Sequence, residues 1–439
     1  MNKVELKEKI KELENKEIVS RNDLQSLCLE FQNINDHVAL LFAPRVGKTK
    51  AALNIIRNKE KVLIVSNTIL IRSKWESDIK AEYTIDFKSI CYQSLHKEMN
   101  EYDVIILDEA DLITDNYFNF LKEFTPKRFI ILTGTATWKS SLLIKKLCKE
   151  NLFEWSISTQ QAINWKLLPQ PEIILFGLNL QDDKSQRNQV FQIGKDKTKS
   201  NKVVKWGEHY QYLRGRKENL LIQCTEKEWL EMIEYDINRW KQMQKDIEKL
   251  DQLKINNFKT TEEISEMLEL SLKLSKFQVP QMIISNNIKR LGLERKKFFA
   301  LRKNRFIKKV IKHFNLEKER VLIFANSIPQ AEWISEETAV HSGKDSAHLL
   351  EAFNKGEISK LVTVNMLDRG IGTIGVNTSI IIQMGGSEAS NKQKSSRNML
   401  DVSPKLIIMY YMNTQDQIYV DRFITQFKPE YIKRITPYG

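Results

Sequence analysis

Short runs of consecutive apolar residues recur along the chain, separated by longer stretches in which apolar side chains return every three or four positions. Val38 to Phe42, Lys61-Val-Leu-Ile-Val65, Val104 to Leu107 and Phe129-Ile-Ile-Leu132 are rich in β-formers and lack polar alternation, the pattern of strands buried on both faces of a parallel sheet. With a further short strand at Ser89 to Tyr92, the alternation of strands and helices up to about Gln170 predicts a doubly wound α/β domain. Ahead of it, Lys3 to Lys16 reads as a charged amphipathic helix with Leu6, Ile10 and Leu13 on one stripe, and a second helix covers about Asn22 to Phe31.

The rhythm breaks between Gln181 and about Leu293. Lys184 to Lys217 is rich in lysine and arginine and contains Trp206, Tyr210 and Tyr212, which suits either a basic arm that stacks on bases or a solvated loop. Leu220 to Cys224 is strand-like, and Thr225-x-x-Glu228 and Thr260-x-x-Glu263 are capping boxes that open two helices. Trp229, Ile233, Ile237 and Trp240 in the first helix, and Ile264, Met267, Leu268 and Ser271 in the second, repeat at helical spacing and read as packing surface. From Arg295 to Phe314 a basic helix carries Phe299, Phe306, Val310 and Ile311 on its apolar face, with Arg302, Lys303, Lys308, Lys309 and Lys312 elsewhere. Arg320 to Ala325, Lys360 to Val364, Ser379 to Gln383 and Leu406 to Met409 then form a second set of buried strands. The expected architecture is two parallel-sheet lobes, 1–175 and 295–439, with a basic, mainly helical insertion at 176–294.

Two stretches of the first lobe carry chemistry. Phe42-Ala-Pro-Arg-Val-Gly-Lys-Thr49 lies between an apolar run and the helix-like Lys50 to Ile56, the strand–turn–helix order of a P-loop. In that order the backbone of Pro44, Arg45, Val46 and Gly47 and a helix N-terminus face phosphates, Lys48 reaches the β/γ oxygens and Thr49 ligates Mg²⁺. The pattern departs from G-x-x-x-x-G-K-[ST] at its first glycine, where Phe42 stands. Asp108 and Glu109 close the run Val104 to Leu107, and adjacent carboxylates at a strand's C-terminal end divide naturally into a metal holder and a group that polarises attacking water. Gln25, shortly before the P-loop strand, suits either an adenine contact or an ordinary exposed helix position. Ser66 and Asn67, after the second strand, suit either a nucleic-acid phosphate or loop capping. The small residues Thr133-Gly-Thr-Ala-Thr137 suit coupling of the phosphate site to whatever lies across the cleft.

The 439 residues exceed a single core, and 41% hydrophobic content is enough for two or three. No apolar run approaches the roughly 20 residues of a membrane span, and Met1 to Lys9 lacks a signal-peptide core, so a cytosolic protein with no membrane partner is expected. Cys28, Cys91, Cys148 and Cys224 lie far apart, which points to reduced thiols rather than zinc or disulfides. The net charge of +13 and pI near 9.2 favour a polyanionic partner, although lysine-rich composition has other origins.

Gly47-Lys-Thr49, Asp108-Glu-Ala-Asp111 and Thr133-Gly-Thr135, in this order and spacing, resemble motifs I, II and III of superfamily-two helicases and translocases. Val65-Ser-Asn-Thr68 with Trp75-Glu76, and Ala162-Ile with Leu168-Pro169, resemble the Swi/Snf-like branch and small phage helicases of the UvsW type; the literal Asp-Glu-Ala-Asp is not by itself the mark of a DEAD-box RNA helicase. In the second lobe Val321 to Asn326 resembles motif IV, His341-Ser-Gly343 the loop after the next strand, Asp368-Arg-Gly-Ile371 with Gly375-Val376 motif V, and Gln393 to Arg397 motif VI. Motif VI departs from Q-x-x-G-R-x-x-R twice: Ser396 replaces the glycine, and Leu400 stands where the second arginine belongs. The resemblance implies RecA-like lobes that hydrolyse ATP with Mg²⁺ at their interface. It assigns Lys48, Asp108, Glu109 and Arg397 to catalysis, Arg369 and Gln393 to the nucleotide, and His341 to nucleic acid or coupling, while the positive charge of the Arg295 to Phe314 helix, apart from any resemblance, suits Lys308 and Lys309 to nucleic-acid phosphates. The implied protein is a monomeric helicase or translocase of a bacterial or phage-infected cytosol, acting on DNA in preference to RNA, with replication or recombination proteins as further partners. An RNA helicase and a weakly hydrolysing ATP-gated clamp or loader are the alternatives.

Overall fold

The computed structural model describes residues 3–98, 100–134, 138–149, 151–180, 185–187, 199–203, 219–224, 226–255, 260–275, 281–335, 337–341, 347–364, 373, 375–399 and 403–435. They form two compact units, one made of the residues up to Gly177 together with those from Lys303, the other of Leu178–Arg302.

The first unit holds two sheets. The strands of the first are β1 (His37–Phe42), β2 (Lys61–Ser66), β3 (Asp86–Cys91), β4 (Val104–Asp108), β5 (Arg128–Leu132) and β6 (Leu152–Ile157). Their order is β3-β2-β4-β5-β1-β6, and every pairing is parallel. Val104 to Leu107 are wholly buried, as a strand with neighbours on both edges and helices on both faces requires. Parallel pairing brings the exits of β2, β4, β5 and β1 to one edge, where ligands of open α/β sheets bind.

The second sheet contains β7 (Glu172–Leu178), β11 (Val321–Phe324), β12 (Ala339–His341), β13 (Lys360–Val364), β14 (Thr378–Ile381), β15 (Lys405–Tyr411) and β16 (Ile432–Ile435), in the order β12-β13-β11-β14-β15-β7-β16. The expected boundary at residue 175 falls inside β7. The strand pairs with β16 from Ile173 opposite Ile432 onward, and the Glu172 N–H donates to the Pro404 carbonyl at 2.9 Å. Its run Ile173 to Phe176 is buried, with β15 and β16 of the second sheet along its two edges.

In the second unit, β8 (Ser185–Arg187), β9 (Lys199–Val203) and β10 (Asn219–Cys224) form a small sheet in the order β8-β10-β9, followed by the helices Glu226–Ile255 and Thr261–Ser275. These two helices are tied by ion pairs between Lys249 and Glu266 and between Lys273 and Asp246 (2.7 Å). Ile233 and Ile237 are buried as their stripe predicts, whereas Ile264 and Leu268 of the second stripe stay exposed at 43% and 61%, so that stripe is not a covered packing surface. Within the basic segment 184–217 the strands β8 and β9 are described, while the rest of it, with Trp206, Tyr210 and Tyr212, lies outside the described residues. The helix expected from Arg295 begins earlier, at Gln281, and runs unbroken to His313. Gly292 does not interrupt it, because a missing side chain lowers helix propensity without removing a backbone hydrogen bond.

Lys303, where this helix enters the first unit, is fully buried. Its Nζ donates to the carbonyls of Ile382 (2.7 Å) and Met409 (2.8 Å), to Gln383 Oε1 (2.8 Å) and to Asp416 Oδ2 (2.5 Å). Asp416, also wholly buried, accepts in addition from Gln383 Nε2 (2.7 Å) and from the Tyr411 N–H (3.0 Å). Burial pulls the Lys303 ammonium below the usual lysine range, against the opposing pull of Asp416. The cluster joins the helix to the loop after β14 and the end of β15. Removing one member of such a pair strands the other charge in a dry interior. Lys303→Met should therefore destabilise the protein by about 3–5 kcal/mol, and Lys303→Met with Asp416→Leu should recover most of the loss in chemical denaturation. A single variant as stable as the parent would show that the cluster carries no stability.

Candidate active site

The P-loop hangs between the end of β1 and the helix Lys48–Ile55. Gly47 caps that helix at φ +106°, a left-handed conformation, and a β carbon there would stand 3.1 Å from Gln25 Nε2; glycine is needed on both counts. Gln25 donates to the Gly47 carbonyl at 3.4 Å and accepts from Asn54 Nδ2 at 3.1 Å. It braces the loop from behind and is not among the residues lining the cleft, so the geometry does not single it out as an adenine reader. Lys48 Nζ bends back to the Phe42 carbonyl at 3.0 Å.

Asp108 ends β4, two strands from β1 across β5. Its Oδ2 accepts from the indole Nε1 of Trp75 at 2.8 Å, and its Oδ1 from the Glu109 N–H at 3.0 Å. Burial, reinforced by the neighbouring Glu109 carboxylate, pushes the Asp108 acid up to about 6, while the Trp75 bond and the Lys48 charge hold it down. Glu109 sits at φ +53°, and this turn aims its side chain away from Asp108's bonds and toward Gln393, whose Nε2 donates to Glu109 Oε2 at 3.3 Å. Tyr92, buried, donates its hydroxyl to the Asp108 carbonyl at 3.1 Å. Nothing in the residue pattern signals the Trp75 and Tyr92 bonds; Trp75 is marked only by the family resemblance.

Gly47, Lys48, Trp75, Asp108, Glu109 and Gln393 line one cleft of about 260 Å³ with Arg21, Pro44, Arg45, Thr49, Ser396 and Arg397. Arg397 and Gln393 are buried, and the Ser396 hydroxyl donates to the Gln393 carbonyl at 2.9 Å. Thr373 Oγ1 donates to the Arg397 carbonyl at 3.3 Å. Gln393 Oε1 is buried with no hydrogen-bond partner among the described residues. The set fits a nucleotide with Mg²⁺: an open helix N-terminus, a lysine held only by a backbone carbonyl, and hard oxygen donors on Thr49 and Asp108. Mg²⁺ sites of this kind use few protein ligands because phosphates and water complete them.

Thr133 is buried and its hydroxyl donates to Asp111 Oδ1 at 3.4 Å. Gly134 lies against the P-loop, since a β carbon there would meet Pro44 Cδ at 3.3 Å and Lys48 Nζ at 3.5 Å. Ser66 is fully buried and donates to the Thr68 carbonyl at 3.4 Å, while Thr68 caps the helix Ile69–Glu82. Asn67, beside it, is half-buried. Lys308 and Lys309 are exposed and away from the cleft lining. Thr135, Arg369 and Leu400 lie outside the described residues, as does the side chain of His341, whose backbone ends β12.

Residues 302–399 match the family of the helicase conserved C-terminal domain. No curated protein matches the sequence. Among solved structures, S. cerevisiae Dbp5 bound to RNA and ADP BeF3 superposes with a TM-score of 0.52 at 9% identity, over 98% of this chain and 93% of that one. A substituted form of Dbp5 gives 0.53 at 11% with the same coverage. The Pyrococcus furiosus Hef helicase domain gives 0.42 at 11%, over 92% of this chain and 97% of that one. The two parallel sheets are RecA-like lobes, and residues 302–399, most of them in the second lobe, match the helicase conserved C-terminal domain.

Proposed function

We propose that the protein is a nucleic-acid-dependent ATPase that acts on DNA as a helicase or translocase, related to the Swi/Snf-like branch and to phage helicases of the UvsW type. The observation that carries this reading is the cleft itself, in which Lys48, Thr49, Asp108 and Glu109 of the first lobe share walls with Gln393 and Arg397 of the second. The contact between Gln393 and Glu109 already spans the lobes, so any change in their spacing is felt at a carboxylate of the site.

In this reading Lys48 exchanges the Phe42 carbonyl for phosphate oxygens. Thr49 and Asp108 hold Mg²⁺, which when bound neutralises developing phosphate charge. Trp75 keeps Asp108 in one rotamer. Glu109 accepts the proton of the attacking water, with Gln393 orienting its carboxylate. Arg397 brings positive charge from the second lobe. Gly134, wedged against Pro44 and Lys48, gives the β5 exit direct contact with the phosphate site. DNA is favoured over RNA on the branch resemblance alone; the likeness to Dbp5, solved with RNA, supports the fold and leaves the RNA reading as the alternative. Leu400 in place of the second motif VI arginine favours a further alternative, a clamp that binds ATP and hydrolyses it slowly. No helix among the described residues is long and apolar enough to cross a membrane.

Glu109→Gln should retain ATP binding and lose turnover by about a hundredfold or more, whereas Lys48→Ala should lose both; parental turnover in Glu109→Gln would remove the general-base role. Arg397→Ala should lower stimulated ATPase activity by roughly a thousandfold with nucleotide binding largely kept, and full activity would move the assignment toward the clamp. Affinity for single-stranded and duplex DNA and for RNA, titrated against salt, tests the polyanion surface. Lys308→Glu with Lys309→Glu should flatten the salt slope by about two and leave ATP affinity unchanged. Tighter binding to RNA than to DNA would reverse the substrate choice.

A further inference from the structure

The P-loop contains a side chain that its backbone chemistry does not use. Arg45 adopts φ +71°, a left-handed conformation that residues with a β carbon rarely take. Pro44 before it is held against Gly134, and Val46 after it is buried, so the loop leaves the Arg45 side chain facing the cleft it lines. Its Nη2 is buried with no hydrogen-bond partner among the described residues. The charged group nearest to it in effect is another cation, Arg21, which lines the same cleft and, among the described residues, makes a long contact from Nη2 to the Leu167 carbonyl at 3.5 Å. Burial first, and the Arg21 charge second, pull the Arg45 guanidinium below its usual range.

Two guanidinium groups that repel each other in a half-dry cleft, one with an orphaned nitrogen, are a site for an anion. We propose that Arg45 and Arg21 form a second phosphate grip for the polyphosphate chain of a bound nucleotide, beside Lys48 and supplied wholly by the first lobe. This rests on the reading of the cleft as a nucleotide site. It goes beyond that reading because a P-loop binds phosphate through backbone N–H groups and its lysine, whereas here the side chain of a loop residue adds charge. The grip also offsets a deficit elsewhere: Leu400 withholds an arginine from the second lobe, and Arg45 provides one from the first. Charge placed this way acts before the lobes close, so nucleotide affinity depends little on whether nucleic acid is bound.

The test is calorimetric titration of the full-length chain with Mg-ATP, ADP, AMP and inorganic tripolyphosphate, with and without DNA. Arg45→Gly relieves the left-handed strain and should leave thermal stability unchanged or raised, so a loss of binding is not a loss of fold. It should weaken ATP and tripolyphosphate at least tenfold and AMP much less. Arg21→Ala should do the same to a smaller extent, Arg45→Lys should keep part of the affinity, and the parent should bind ATP nearly as well without DNA as with it. If Arg45→Gly binds ATP and tripolyphosphate within twofold of the parent while Lys48→Ala loses both, the nucleotide site stands and the arginine grip is overturned. Unchanged ATP affinity with weakened DNA affinity in Arg45→Gly would also overturn it, by assigning the cation to nucleic acid. If the parent binds neither ATP nor tripolyphosphate, the nucleotide reading itself fails and the grip with it.

Discussion

A parallel sheet delivers the C-terminal ends of all its strands to a single edge, and in the first lobe the order β2-β4-β5-β1 determines which loops can meet there. β5 separates the P-loop strand from the carboxylate strand, and among the described residues the loop leaving β5 touches both sides. Thr133 reaches Asp111, and Gly134 reaches Pro44 and Lys48. A larger residue than glycine at 134 would push on the proline and the lysine together. The small residues after β5 are therefore a steric requirement of strand order before they are a signature of anything.

Buried charge is handled in two opposite ways. Lys303 and Asp416 are wholly enclosed, yet the polar atoms around them give the ammonium and both carboxylate oxygens partners. Such a cluster holds a helix in one register and has nothing left to offer a ligand. At the cleft the groups remain short of partners: Asp108 is raised by burial and by Glu109, Lys48 rests on a carbonyl, and Gln393 Oε1 has no partner among the described residues. One arrangement is spent on the fold, and the other is held in readiness.

Much of this was legible in the sequence because strands buried on both faces leave uninterrupted apolar runs, and because a P-loop must place glycine, lysine and threonine in fixed succession between strand and helix. What was not legible depends on contacts between distant segments. β7 has the same apolar run as any interior strand, and nothing in Ile173 to Phe176 says which of two sheets will take it. Lys303 looks like one more cation on a basic helix until Asp416 is found beside it. The sequence around Trp75 says nothing of Asp108, and only the packing of its helix points the indole N–H there. The bond from the Ser66 hydroxyl to the Thr68 carbonyl is likewise a matter of how the turn folds.

The placement of β7 also has a consequence in time. A ribosome releases β7 long before it makes β15 and β16, its neighbours in the second sheet, since roughly half the chain lies between them. During that interval the first lobe can fold around its own strands, while β7 trails behind it as an unpaired apolar edge of the kind that recruits wrong partners. The insertion emerges next, while that edge is still waiting. Translation speed and chaperone supply across residues 180 to 405 should thus weigh more on the yield of this protein than any single contact in the finished fold.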